Sequence, residues 1–274
     1  MSVKSFSLCA VVLFSLISIP VKGQEIGEQK LAFQGGEELK YLATYKAGLI
    51  NAELAEISFN TMDSNINGEP VYHVKAIAEI YPSYKIIFEM RDEYNTWLRK
   101  SDLKPVYFEN FIKEGSYVGQ GNMTYDWDKK EVVTWWKNFK RGHENYHTFE
   151  LSENSFDGLA LFFNLRNTDL QDVQEGHSAY IDLVLSDTIK RLQYKFLGRE
   201  VRNIPRVGKF ATLKFSCQLT TSEAESFKEG SEFYIWLSDD DNKIPLYLET
   251  PIRIGSVRAR IMSWKNLKHP LNKK

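Results

Sequence analysis

Short runs of alternating apolar and polar residues dominate most of the chain. In residues 71–80, apolar side chains take every second position, and His73, Lys75 and Glu79 lie on the other side. The same period of two recurs at residues 179–185, 233–238, 246–254 and 257–262, where it puts Trp236 and Tyr247 on the polar side. This period is that of a β-strand, and one apolar face with one polar face is typical of an antiparallel sheet wetted on one side.

Turn-forming residues separate these runs. Residues 65–70, 126–130 and 239–242 are rich in Asn, Asp, Gly and Lys, and they predict tight connections between strands. Helix is scarce: residues 156–166 are the best candidate, with Asn154, Ser155 or Asp157 available as the cap, and residues 81–90 are a shorter one. The sequence therefore predicts an all-β protein, an antiparallel β-barrel or a large β-sandwich with one or two short helices.

The N-terminus has the layout of a secretory signal peptide. Lys4 precedes an apolar run at residues 8–19, and Gly23 is a small residue suited to cleavage. The run is shorter than the ~20 apolar residues of a membrane-spanning helix. Cys9 does not fit a lipoprotein signal, because the apolar run follows it. We therefore expect cleavage near Gly23 and a periplasmic or secreted protein without a transmembrane segment.

Residues 24–274 then form a single β-rich domain, unless residues 154–175 join two β halves. Only Cys217 remains as a thiol after cleavage, so an intramolecular disulfide is impossible, and its alternation with apolar neighbours predicts a buried position. Lys and Arg number 35 against 36 Asp and Glu, with the signs interspersed. This balance argues against a nucleic-acid-binding surface.

Four aromatic residues form the first candidate site: Tyr125, Trp127, Trp135 and Trp136. Trp135 and Trp136 point to opposite faces of a strand, so one of them at most lies in the core. An exposed tryptophan can stack on the apolar C–H face of a sugar ring, which makes these residues a candidate ligand-binding site. Ordinary strand packing is the alternative, since aromatic residues suit strands.

A second candidate is a metal site at His143, Glu144 and His147, which match the pattern HExxH. In zinc peptidases this pattern lies on a helix that aims both imidazoles at the metal. The residues here are poor helix formers, and the flanking segments favour strand ends around a loop.

Pairs of acidic residues could serve a glycosidase, which needs two carboxylates ~5–10 Å apart. The pairs are Asp92 with Glu93, Asp126 with Asp128, and the run at residues 239–241, whose composition is also that of a turn. The chain contains no glycine-rich phosphate loop, no GxSxG motif and no dinucleotide fingerprint, so no cofactor is predicted.

Two stretches resemble a known bacterial family, domain of unknown function 3108. The C-terminal stretch at residues 233–259 reads FYIWLSDDDNKIPLYLETPIRIGSVRA, and residues 36–54 look like the start of that family, with a strand, a glycine turn and a second strand. The resemblance covers residues 33–264. It implies a β-rich envelope protein, often from bacteria of the Bacteroidetes type, and it brings no catalytic residues.

The leading hypothesis is an exported β protein that binds an envelope glycan, lipid or protein partner. An alternative is a hydrolase of envelope polysaccharide or peptide that uses a carboxylate pair or the His143/His147 metal site. A lipid carrier is a third hypothesis, because alanines on the apolar strand faces, such as Ala76 and Ala78, could leave a cavity. The oligomeric state and the choice between enzyme and binding protein stay open.

Overall fold

The computed structural model describes residues 31–170, 172–220, 232–252 and 255–274, so the predicted signal peptide and Cys9 lie outside the described residues. Within these ranges the chain forms fifteen β-strands, one α-helix (α1, Gly158–Arg166) and a short 3-10 helix (Pro82–Tyr84). The strands are β1 (Glu38–Ala47), β2 (Ile50–Ile66), β3 (Glu69–Ile80), β4 (Met90–Arg99), β5 (Pro105–Glu114), β6 (Tyr117–Asp126), β7 (Glu131–Asn138), β8 (His143–Glu150), β9 (Ser155–Phe156), β10 (Ser178–Val184), β11 (Ile189–Ile204), β12 (Gly208–Thr220), β13 (Glu232–Ser238), β14 (Pro245–Pro251) and β15 (Ser256–Lys265).

All fifteen strands belong to one sheet, in the order β8-β7-β6-β5-β4-β3-β2-β1-β15-β14-β13-β12-β11-β10-β9. Every pairing is antiparallel except that of β9 with β10. Two meanders, β1–β8 and β10–β15, meet where β1 pairs with β15. The prediction of an all-β, mostly antiparallel fold with one or two short helices is confirmed.

The helix α1 lies inside the curved sheet. The Asp157 carboxylate caps it by accepting hydrogen bonds from the backbone N–H groups of Leu159 and Ala160. Of the three residues predicted as possible caps, Asp157 is therefore the one that caps the helix. Its side chains are buried on nearly all sides, as expected of a core helix. The ring of Phe162 stacks on Phe59 of β2 at 4.8 Å between centroids. Ala76 pairs with Phe59 in the sheet, so this small residue lies beside the helix.

Polar groups fix both ends of α1 within the core. Burial raises the pKa of Asp157 to about 6, although its backbone hydrogen bonds and the Thr96 hydroxyl oppose the shift. At the other end, the buried Arg166 guanidinium forms an ion pair with buried Glu37 and donates to the carbonyl oxygen of Asn242 at 3.0 Å. Removing one partner of such a pair leaves an uncompensated buried charge, which typically costs about 3–5 kcal/mol.

The two ends of the sheet differ. The turns after β1, β3, β5 and β7 lie at one end, called here the tip end, where the β1–β2 hairpin extends past the end of β3 because Ala55 pairs with Ile80. The opposite end is covered by residues 31–37, the first that the structure describes, and by the C-terminal residues 266–274. There His269 contacts the carbonyl oxygen of Leu31 through Nε2 at 3.0 Å, and Asn242 donates to the carbonyl oxygen of His269 at 2.9 Å. We call it the closed end.

Burial follows the predicted alternation on the inner face. Tyr72, Val74, Ala76, Ala78 and Ile80 are all buried, and so is Cys217, which confirms its prediction. The prediction that side chains on the outer face are exposed is wrong for two aromatic residues.

Trp236 and Tyr247 share the polar side of their strands, yet they are only 4% and 8% exposed. The Arg202 guanidinium lies over both rings, 3.7 Å from the Trp236 centroid and 4.1 Å from the Tyr247 centroid. A cation from β11, which β12 separates from β13, therefore helps to remove these rings from water.

Candidate functional site

The four predicted ligand-binding aromatics lie in different places. Tyr125 faces the interior and is 7% exposed, and its ring stacks on Trp127 at 6.1 Å between centroids. Trp127 follows β6 at the closed end, and its indole N–H donates to the carbonyl oxygen of Pro105 at 2.7 Å. This hydrogen bond and stacking give Tyr125 and Trp127 a role in packing.

Trp136 faces the inner side of the sheet. Its indole lies flat across Gly119 and Gly121 of β6, where an added Cβ would come within 2.5 Å and 2.7 Å of the ring. Tyr117 stacks beside it at 6.2 Å between centroids. The two glycines are thus required for the close approach of this ring. Trp135 points to the opposite, outer face because successive strand residues alternate.

The predicted metal ligands do not converge. Residues 143–150 form strand β8, where the metal motif of zinc peptidases needs a helix. His143 and His147 therefore share one face, and Glu144 points to the other. Over the part of the chain that the structure describes, no group of three or more His, Cys, Asp or Glu side chains could hold a metal ion.

Glu144 instead joins Trp135 on the outer face. Its Oε1 accepts hydrogen bonds from the Trp135 indole N–H at 2.7 Å and from the Tyr146 hydroxyl at 2.9 Å, and its Oε2 lies 3.2 Å from the Lys137 ammonium. These hydrogen bonds, with that of Trp135 the largest, lower the pKa of the Glu144 carboxyl. One residue from each predicted site thus meets in a single cluster.

This cluster belongs to a wider surface on the outer side of β3–β8. We call it the aromatic face and define it by His73, Trp97, Tyr107, Phe111, Trp135 and Tyr146. The imidazole of His73 stacks on Trp97 at 4.4 Å between centroids, and Trp97 contacts Tyr107 at 5.3 Å. Phe111 is 42% exposed and Tyr146 is 65% exposed, so the rings remain open to solvent.

Amide and carboxylate groups lie between these rings. In the register of the sheet, Asn95 stands opposite Glu109, Glu109 opposite Asn122, and Asn122 opposite Trp135. Two residues further along β6, Gln120 stands opposite Phe111 of β5 on one side and opposite Lys137 of β7 on the other. The face therefore combines apolar ring surfaces with hydrogen-bond donors and acceptors in side chains that lie a few ångströms apart.

The sequence reasoning missed five members of this face: His73, Trp97, Tyr107, Phe111 and Tyr146. The signal was an aromatic residue whose neighbours two positions away are polar or charged. Trp97 lies between Asn95 and Arg99 on one side of β4, as Phe111 lies between Glu109 and Lys113 on β5.

The predicted acidic pairs have other roles in the structure. Asp92 is buried on the inner face, whereas the adjacent Glu93 lies on the outer face. Asp126 accepts from the backbone N–H of Lys129 within the β6–β7 turn.

The run at residues 239–241 forms a turn, as its composition indicates. Asp240 Oδ1 accepts from the Ser238 hydroxyl at 2.9 Å and from the Asn242 backbone N–H at 3.0 Å. These acidic residues order turns and strands.

Comparison with known proteins gives a family and a fold. The family described as "Protein of unknown function (DUF3108)" matches residues 40–262. No curated protein matches the chain. A similar solved structure is the β-barrel-like protein of domain of unknown function DUF1849 from Brucella abortus, with a TM-score of 0.53 and 10% identity, covering 86% of this chain and 100% of that one.

At that identity the likeness concerns the fold alone. No helix among the described residues is long and apolar enough to cross a membrane.

Proposed function

The chain belongs to the DUF3108 family of proteins of unknown function, and from that premise we propose that it is an exported cell-envelope protein that binds a glycan on its aromatic face. The observation that carries the proposal is the set of rings on one outer sheet surface, with amides and carboxylates between them. The predicted signal peptide supports export to the cell envelope, where glycans are abundant.

The chemistry of the face suits a sugar better than a wholly apolar ligand. A sugar ring has an apolar C–H face, which stacks on an aromatic ring, and a hydroxylated edge, which needs hydrogen-bond partners. Trp135 offers its ring, and Asn122 and Lys137 lie next to it with a donor each. Tyr and Trp supply large contact areas at low conformational-entropy cost, because each has two side-chain torsions.

The electrostatics of the face favour a neutral or weakly charged glycan. Lys75 forms an ion pair with Glu93, and Lys137 lies 3.2 Å from Glu144, so the charges on this face are largely compensated. Surface pairs of this kind contribute little to stability, and they leave hydrogen-bonding capacity for a ligand.

A binding screen tests the proposal. The mature protein is applied to an array of immobilised bacterial polysaccharides and oligosaccharides, alongside a Trp135→Ala/Tyr146→Ala double variant. The matched control is Tyr180→Ala, since Tyr180 is 49% exposed on β10, outside the aromatic face.

We expect at least one glycan to bind to the wild type and to Tyr180→Ala, and to be lost from the double variant. The proposal is wrong if the wild type binds no glycan above the level of the double variant.

Export is tested separately by the intact mass of the protein expressed with its leader in a Gram-negative host. We expect residues 1–23 to be missing from the periplasmic product. A full-length chain retained in the cytoplasm would contradict the proposed export to the cell envelope.

A further inference from the structure

The tip end carries exposed apolar side chains that come from three separate turns. Leu49, Ile86 and Ile87 are 105%, 95% and 84% exposed, and three further residues are roughly half exposed. We call this set the rim: Leu49, Ile50, Ile86, Ile87, Phe88 and Phe139. Scattered surface apolar residues are ordinary, whereas large exposed apolar patches bordered by polar residues are typical of protein or membrane interaction sites.

The backbone of these turns holds the side chains outward. Leu49 follows Gly48, whose φ of 56° is a left-handed conformation that favours glycine in a two-residue hairpin turn. In the β3–β4 connection, the backbone N–H groups of Ile87 and Phe88 both donate to the carbonyl oxygen of Tyr84, at 2.9 Å and 3.0 Å. The exposure of Ile86 and Ile87 is therefore built into a hydrogen-bonded turn.

Neighbouring turns of the rim touch one another. The ring of Phe88 lies 3.4 Å from the position of a Cβ at Gly115, in the β5–β6 turn. The Lys140 ammonium of the β7–β8 turn donates to the Ser116 hydroxyl of that same turn at 2.7 Å. The β3–β4, β5–β6 and β7–β8 turns thus form a continuous edge.

Basic residues dominate the charge at this edge. Residues 46–50, 81–89, 113–117 and 139–142 contain five basic residues and two acidic ones, in a chain whose net charge is −1. The basic residues are Lys46, Lys85, Lys113, Lys140 and Arg141. Glu89 pairs with Lys113 at 2.9 Å and Glu79 pairs with Lys85 at 2.7 Å, so the excess of positive charge at this edge comes from Lys46, Lys140 and Arg141.

We propose that the rim docks on the surface of an anionic bilayer, with Leu49, Ile86 and Ile87 entering the boundary between head groups and acyl chains. Apolar side chains bordered by lysine and arginine are the combination that attaches a protein to such a surface, because burial and attraction to anionic head groups add together. The proposal goes beyond the glycan site and rests on different residues. The docking is reversible, since a handful of side chains is a small buried area.

Vesicle sedimentation tests the docking. The mature protein is mixed with vesicles of phosphatidylethanolamine and phosphatidylglycerol, which carry no glycan, and with vesicles of phosphatidylcholine alone. We expect sedimentation with the anionic vesicles, weakened by added salt because screening shortens the reach of the charges.

A Leu49→Ser/Ile86→Ser/Ile87→Ser variant should lower the partition coefficient by about tenfold or more. Val201→Ser is the matched control, because Val201 is 61% exposed on β11 outside the rim, and it should bind like the wild type. Both variants change exposed side chains, and unchanged thermal melting would show that each is folded.

Two results would overturn the proposal. One is equal sedimentation of the wild type and the rim variant. The other is a dimer in analytical ultracentrifugation without vesicles that the rim variant dissociates, since the rim would then be an interface between two copies of the chain.

Discussion

Two outer surfaces of this sheet carry aromatic residues, and they differ in what covers them. On β13 and β14, Trp236 and Tyr247 lie beneath Arg202, and the Trp236 indole N–H donates to Glu200 at 2.6 Å. We call this surface the covered face. On the aromatic face, Trp97 and Trp135 are partly exposed, and Phe111 and Tyr146 are more so.

The difference shows that an aromatic residue on the wet side of a strand has two uses. When another strand of the sheet supplies a cation, the ring contributes to stability as a core residue does. Where it stays uncovered, the ring is available to a ligand. Only the relative placement of Arg202 and Trp236, which come from different strands, distinguishes the two cases.

The largest expected effect is the loss of stability on removing a ring of the covered face. Trp236→Ala should lower the free energy of unfolding by about 3–5 kcal/mol, because Trp236 is 4% exposed and its loss leaves a cavity. Chemical denaturation measures this change. Trp135→Ala should lower it by about 1 kcal/mol or less. Equal losses from the two variants would remove the distinction between the faces.

For glycan binding, the aromatic face should matter more than the covered face. For a glycan identified on the array, Trp135→Ala/Tyr146→Ala should weaken the affinity by about tenfold or more, as expected for removal of central aromatic contacts. Titration calorimetry measures the affinity, with Tyr180→Ala as the control that keeps it. If Tyr180→Ala weakened binding equally, the site would extend beyond the aromatic face or lie elsewhere.

Uncovering the covered face should have an intermediate effect. Arg202→Ala removes the cation above Tyr247 and the nearer of the two cations above Trp236, the other being Lys214 at 5.2 Å, and it should lower the free energy of unfolding by about 1–2 kcal/mol. Acrylamide should then quench more of the tryptophan fluorescence than in the wild type. Unchanged quenching would show that other groups exclude water from these rings.

The smallest effect concerns pH. The pKa of Glu144 is lowered by its hydrogen bonds from Trp135, Tyr146 and Lys137, so its carboxylate stays ionised well into mildly acidic solution. The ratio of the glycan affinities of the wild type and a Glu144→Gln variant should therefore change by less than about twofold between about pH 7 and about pH 5. Glu144→Gln should behave similarly, since the amide oxygen still accepts from the indole. A steep fall in affinity across this range for the wild type alone would contradict this role for Glu144.

Local patterns were sufficient to predict several of the strands and the helix, but the loop expected around residues 143–147 is wrong, because these residues belong to strand β8. Alternation places residues 72–80 correctly, and the Asp157 cap marks the start of α1 because a capping side chain acts within three residues of the chain. The same alternation separated Trp135 from Trp136, and the structure bears this out through Trp136 on the two glycines and Trp135 on Glu144.

The candidate site was harder to predict because its members come from separate strands. Trp97 is 38 residues from Trp135 in the sequence, and the order of the strands between them brings both rings to one surface. The HExxH pattern misled for a related reason: the spacing of four suits a helix, and β8 turns Glu144 away from both histidines. Long-range pairing therefore decides which polar and aromatic residues meet.

The most direct test follows the indole N–H signals of the six tryptophans by nuclear magnetic resonance while a glycan that binds on the array is added. Single Trp→Phe variants assign the signals. The proposed glycan site predicts that the signals of Trp97 and Trp135 shift and that those of Trp236, Trp127 and Trp136 stay in place. Shifts confined to Trp236, Trp127 or Trp136, with Trp97 and Trp135 unchanged, would contradict it.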